Sequence, residues 1–111
     1  MPEKPANTLG AQLRRRHPDR IPVVVDVRRV LGDDARPLKL LVQSDMTAGS
    51  LVYAVRLKIK QLRRDAVADH SALFVLVGTY LPPSSHRVSA LPRDAKEDVV
   101  HATCVLESTF G

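Results

Sequence analysis

Along the chain, apolar positions recur with two different periods, and each change of period marks an element boundary. "IPVVVDVRR" is β-branched, with Ile21, Val23 and Val25 on one face and Pro22, Val24 and Asp26 on the other, the alternation of a strand. Pro22 has no N–H to give, so pairing is limited there. "VLGDDARP" predicts a turn, and "LKLLVQ" (Leu38 to Gln43) predicts the second strand of a hairpin. In that strand Lys39 and Leu41 share one face, and Leu38, Leu40 and Val42 share the other. From Ser44 the period lengthens: Leu51, Val55, Ile59 and Leu62 fall at i, i+4, i+8 and i+11, a stripe predicted to be buried along one helix. Thr47 is its expected N-cap, with Ser44 and Asp45 just outside. Arg56, Lys60, Arg63 and Arg64 mark a wet face, and the basic residues of its last turns complement the helix dipole.

The pattern then returns to strands. "DAVADHS" is polar, and "ALFVLVG" is too short for a helix and Val-rich enough to predict a central strand. "TYLPPSS" is expected to hold a short strand that Pro82-Pro83 ends. A helical turn is expected over Val88 to Leu91, stopped by Pro92; "RDAKED" is a charged turn, and "VVHATCVL" (Val99 to Leu106) is the last strand. Upstream, His17-Pro18-Asp19-Arg20 is a turn, and "TLGAQLRRR" can form one or two helical turns, with Gly10 against it. A hairpin, one amphipathic helix and further strands pack most simply as a sheet with the helix across one face. The expected class is α+β, a β-grasp (ubiquitin-like) fold: a mixed sheet of four to five strands, one main helix and a short N-terminal helical segment. Three stretches follow: a partly helical or flexible extension over 1–16, the domain over 17–106, and a flexible tail over 107–111.

Composition adds constraints. The 111 residues are 44% hydrophobic and contain no Trp, so one core built of Val, Leu, Ile and Ala is expected. Cys104 is the only cysteine, which excludes an internal disulfide and suits a reducing compartment. The longest apolar run, Leu73 to Val77, is far below the roughly 20 residues of a bilayer span. The net charge of +5 is unevenly spread: residues 1 to 64 hold 14 Lys and Arg against 6 acids, and residues 65 to 111 hold 3 against 6. The basic part implies an acidic partner. Nucleic acid is not expected, because no aromatic residues interleave with the basic ones as stacking platforms.

No constellation supports catalysis. His101 and Cys104 are an odd number of residues apart, so on a strand they point to opposite faces, and no second Cys or tight His pair completes a zinc set. The serines lack a nucleophile elbow. The five glycines are scattered and form no phosphate loop. No cofactor or metal is expected. The densest charge, Arg14-Arg15-Arg16 with Arg20, reads either as a solvated turn or, with Lys39, Arg56 and Lys58, as one side of a binding surface.

"HPDRIPVVV", "LVQSDMTAGSLVYAVRLKIK", "ALFVLVGTYLPPSS" and the closing "ESTFG" resemble, in order and spacing, the autophagy ubiquitin-like modifiers of the GABARAP and light-chain-three group, from about His17 to Gly111. The resemblance implies that Gly111 is activated by an ATP-dependent enzyme, passed as a thioester to a conjugating enzyme and joined to the amine of phosphatidylethanolamine. It further implies a monomer that is cytoplasmic, and on the autophagosome membrane once lipidated. Conjugation to a protein lysine, and a free module for acidic peptides, are the alternatives. Either no protease step precedes conjugation, or the chain is a processed form.

Short acidic and aromatic motifs of receptors and adaptors are implied as partners, adding a strand beside the hairpin and filling two pockets. By position the first pocket takes Leu13, Pro22, Val24, Lys39, Leu41 and Val100, and the second takes Leu40, Val42, Met46, Leu51, Ala54 and Val55. Arg20, Arg56 and Lys58 would meet the motif's acids. The chain also departs from the group. The N-terminal extension is short, Gln43 stands where proline is usual, and Val100 and Leu40 stand where aromatics are common.

Overall fold

The computed structural model describes residues 12, 15–67 and 72–107, and all that follows concerns these. Four strands form one mixed sheet: β1 (Arg20–Asp26), β2 (Leu38–Gln43), β3 (Leu73–Leu76) and β4 (Val100–Leu106), in the order β2-β1-β4-β3. β1 pairs antiparallel with β2 and parallel with β4, and β3 pairs antiparallel with β4. A one-turn helix α1 (Arg28–Leu31) follows β1, and the long helix α2 (Ala48–Leu62) crosses the sheet. This is the expected ubiquitin-like layout. Gln12, Arg15 and Arg16 are helical.

Period-2 alternation decides which sheet face is dry. Ile21, Val23 and Val25 of β1, Val42 of β2, and Val100, Ala102 and Cys104 of β4 are buried in one core cluster with Leu51, Val55 and Ile59 of α2. Each large aliphatic withdrawn from water contributes about 1.5–3 kcal/mol, and eleven side chains here are below 2% exposed. No polar or charged residue is buried among the described residues.

Four expectations are corrected. "ALFVLV" is an edge strand, not a central one; β1 and β4 hold the centre. "VLGDDARP" is not wholly a turn, because Val27 and Leu31 are buried and the chain between them winds once as α1 before turning at Gly32, whose φ is +110°. Leu62 is 60% exposed although it continues the apolar stripe, because it ends α2 beyond the cover of the sheet. The short strand near Tyr80 reduces to one bridge with Val77.

Thr47 caps α2 as its residue type predicts, its Oγ1 accepting from the Ser50 amide at 3.1 Å. The first turn is also clasped from outside. The Ala48 and Gly49 amides donate to the His86 and Ser84 carbonyls at 2.7 and 3.0 Å, and the Val88 and Ser89 amides donate to the Met46 and Ser44 carbonyls at 2.7 and 3.1 Å. Amides left free at a helix start thus find partners in the Pro83-to-Ser89 segment. The approach is close at Gly49: a Cβ there would lie 3.2 Å from the Ser84 Cβ and 3.3 Å from its carbonyl oxygen, so the segment would have to give by a few tenths of an ångström. "SDMTAG" and "LPPSS" are therefore one structural unit, closed again by the 3-10 turn Val88–Ala90.

Candidate functional site

Among the described residues strand β2 pairs only with β1, which leaves its other side as a sheet edge. An edge strand presents unpaired amides and carbonyls to any extended chain. The register sets which side chains flank that edge: Pro22 is opposite Leu41, and Val24 is opposite Lys39. All four lie on the sheet face away from α2, with Arg20 opposite Gln43 continuing the column. Pro22 is buried, Val24 and Leu41 are half-buried, and Lys39 is exposed. The structure thus assembles Pro22, Val24, Lys39 and Leu41 as a patch with a cation at its rim, and sets Arg20 at its end.

Val100 does not join them. It pairs beside Val23, is 0% exposed and faces α2. Beside Val24, on the open face, stands His101. The misassignment has a simple origin: Val99 and Val100 are both apolar and both buried, so the strand's parity comes from its register with β1 and not from hydropathy. A cavity of about 580 Å³ runs along this face, with Val24, His101 and Thr103 on its walls and Pro37 and Ala35 at one end.

The second group divides less sharply. Leu40 and Val42 lie on the α2 side of β2, opposite Val23 and Ile21. Leu51 and Val55 are fully committed to the core, whereas Leu40, Met46 and Ala54 are half-buried and could contact a ligand. At about 100° per residue, Ala54 and Lys58 share one flank of α2, and Val52 and Arg56 share the other. Val52 lines an apolar cavity of about 430 Å³ between α2 and β3. By the same phase Arg56 lies on the Val52 flank, toward β3, and not beside Lys58 on the β2 flank as expected. That cavity, closed by Leu81, Pro82 and Pro83, had no signal in the sequence beyond the proline pair.

The charged groups around the open face are held in place. Asp26 accepts three bonds from the Arg28 side chain and one from its amide, at 2.7–3.1 Å, which holds its carboxyl below the usual range. Asp94 Oδ1 accepts from the Lys96 and Glu97 amides at 2.7 and 3.2 Å, which likewise lowers its pKa. Its other oxygen is 3.7 Å from His101 Nε2, and Glu97 is 4.0 Å from the same nitrogen. These three side chains bring one nitrogen and two carboxylate oxygens within 4.8 Å of one another at the surface. Cys104 is buried on the opposite face, as its odd separation from His101 predicts, and burial pushes its thiol up to about 12. It is no nucleophile. His17 and His86 are exposed.

Leu13, His70 and Gly111 lie outside the described residues. The last described one, Glu107, donates its amide to the Ala72 carbonyl at 3.0 Å, so the end of β4 is tied to the start of β3. Gly111 follows four residues later. No helix among the described residues is long and apolar enough to cross a membrane.

Comparison with known proteins agrees with this geometry. Residues 7–111 match the family model described as autophagy protein Atg8, ubiquitin like. Autophagy-related protein 8e of Arabidopsis thaliana is 33% identical over 105 residues, covering 92% of this chain and 81% of that protein. Autophagy-related protein 8 of Schizosaccharomyces pombe is 32% identical over 109 residues, covering 94% and 84%. The crystal structure of Trypanosoma brucei ATG8 superposes with a TM-score of 0.72 at 30% identity, covering 92% of this chain and 85% of that one. A ubiquitin-like sheet, a free β2 edge and a match over nearly the whole length lead to one conclusion: the chain belongs to the Atg8 family of autophagy ubiquitin-like proteins.

Proposed function

We propose that this chain is a modifier joined through the Gly111 carboxyl to the amine of phosphatidylethanolamine, and that it then gathers partners carrying short acidic and aromatic motifs. The chain is the substrate of ligation and supplies no catalytic group. An activating enzyme spends ATP to form a thioester at the Gly111 carbonyl, a conjugating enzyme receives it, and the lipid amine displaces the thiol to form the amide. Glycine suits both steps. Without a Cβ the tail can thread a narrow cleft, and the carbonyl stays unhindered to attack. The two acyl chains gained anchor the domain, each buried CH₂ contributing about 0.8 kcal/mol.

The observation that carries the binding half is the free edge of β2, with Lys39 and Leu41 beside Pro22 and Val24. A partner segment added there gains backbone hydrogen bonds along the edge. One apolar side chain rests on Pro22, Val24 and Leu41; another reaches Leu40, Met46 and Ala54 at the α2 side. Lys39 and Lys58 meet the motif's acids from the two flanks, with Arg20 at the far end. Partners are autophagy receptors and adaptors, and the lipidated form resides on the autophagosome membrane.

The experiment is to change Gly111→Ala or delete it, and to follow the membrane-bound fraction and peptide binding separately. Loss of the membrane-bound fraction with unchanged peptide affinity is expected. Unchanged membrane association contradicts the conjugation half.

A further inference from the structure

The outward face of α2 has no part in the core or in the β2 edge. From Ala48 to Leu62 the helix contains no acidic residue, and Arg56, Lys58, Lys60, Arg63 and Arg64 follow within nine positions. Asp45 before it and Asp65 after it are the nearest acids in sequence. Tyr53 and Leu57, one turn apart on the side opposite the buried stripe, are 63% and 44% exposed. Lys60 lies on the same side by helical phase, and Arg64 extends that line past the helix end. An exposed aromatic and an exposed aliphatic side chain, in line with half-buried Lys60 and exposed Arg64 on a helix that itself contains no acid, match the chemistry of an anionic membrane surface: tyrosine favours the headgroup level and each Lys or Arg is drawn to anionic lipid.

The topology turns this face the right way. Arg63, just past α2, donates Nη2 to the Leu31 carbonyl at 3.0 Å, so the helix ends over α1. β1 runs into α1, and its last pair, Asp26 with Thr103, lies three residues before Leu106 in β4. The end of α2 is thus at the end of the sheet from which the chain leaves at Glu107. Gly111 can lie no farther than about 14 Å beyond that residue. The sheet face that carries Pro22, Val24 and Leu41 points away from α2, so a partner there would remain reachable.

We infer that the Tyr53–Leu57–Lys60–Arg64 face of α2 docks on an anionic phospholipid surface. The contact needs no covalent lipid, so it stands or falls separately from conjugation. Asp34 and Arg36 line one shallow cavity with Leu62 and Arg63 at the end of α2 and offset each other in charge there; the attraction comes from the length of the helix.

The test uses the unconjugated full chain and vesicles of phosphatidylcholine alone or with about 30 mol% phosphatidylserine. Co-sedimentation should be at least about tenfold higher with phosphatidylserine and should fall toward the phosphatidylcholine value at about 0.5 M salt. A Lys60→Glu/Arg64→Glu variant and a Tyr53→Ser/Leu57→Ser variant should each lose most of it. Their affinity for an acidic aromatic peptide should stay unchanged, showing that the fold is intact. Equal sedimentation with both vesicle types, or variants that sediment like the parent, overturns the assignment. Capture of a polyglutamate peptide by this face without vesicle binding does so too, and places an acidic protein segment there instead.

Discussion

His101 stands beside Val24 across the parallel β1–β4 pair, on the sheet face away from the helix, while its neighbour Val100 points into the core. The two adjacent positions therefore respond oppositely to the same substitution. Val100→Phe forces a ring into a fully packed site and should cost about 1–3 kcal/mol by overpacking. His101→Phe should leave stability nearly unchanged and alter the affinity of peptides whose first apolar residue rests on Val24. Urea denaturation and calorimetric titration of the two variants separate these outcomes.

Lys39 and Arg56 were both expected beside a motif's acids, but only Lys39 flanks the β2 edge. Lys39→Glu should weaken an acidic peptide several-fold, by an amount that shrinks as salt rises. Arg56→Glu should have a clearly smaller effect, because helical phase puts that residue on the flank of α2 toward β3. Titrations of one peptide against both variants at two salt concentrations compare the flanks directly.

Ile59 and Leu62 test how far the sheet covers α2. Ile59 is 0% exposed and Leu62 is 60% exposed. Ile59→Ala should cost about 2–5 kcal/mol, whereas Leu62→Ala should change stability by less than about 0.5 kcal/mol. Thr47→Ala, which removes the cap on the Ser50 amide, should fall between them at about 1 kcal/mol. Equilibrium unfolding orders the three.

Cys104 carries a pH signature. Its folded thiol is pushed up to about 12 by burial, from an ordinary value of 9.0. Above pH 9 the unfolded chain gives up this proton and the folded one holds it, so fewer protons are bound in the unfolded state and stability falls as pH rises from about 9 toward 12. A Cys104→Ala variant should show a shallower decline over that range. The native thiol should also resist alkylation at pH 8 until the chain is unfolded.

Much of this fold is legible in the sequence, and the boundary of legibility has physical causes. Alternation in "IPVVVDV" and "LKLLVQ" separates the two faces of β1 and β2 because one face is dry and the other is not. Thr47 declares the helix start because a hydroxyl there satisfies a free amide. Strand order was not readable. A four-residue apolar strand can sit at the centre or at an edge, and β3 lies at the edge with half-buried Phe74 and Leu76 on its open face. The parity of β4 was hidden by two consecutive valines. The direction of Leu62 was readable from the helical period, but the extent of the sheet beneath it was not. Within the candidate site, Pro22, Val24, Lys39 and Leu41 came together as expected. Val100 and Arg56 did not, and His101 enters in place of Val100.

The central claim is that Gly111 carries a lipid. Intact mass spectrometry of the chain recovered from a membrane fraction tests it most directly. The expected mass is that of the chain plus one phosphatidylethanolamine less one water, with fragmentation placing the addition on Gly111. An unmodified chain, or an addition the size of a protein, would contradict it.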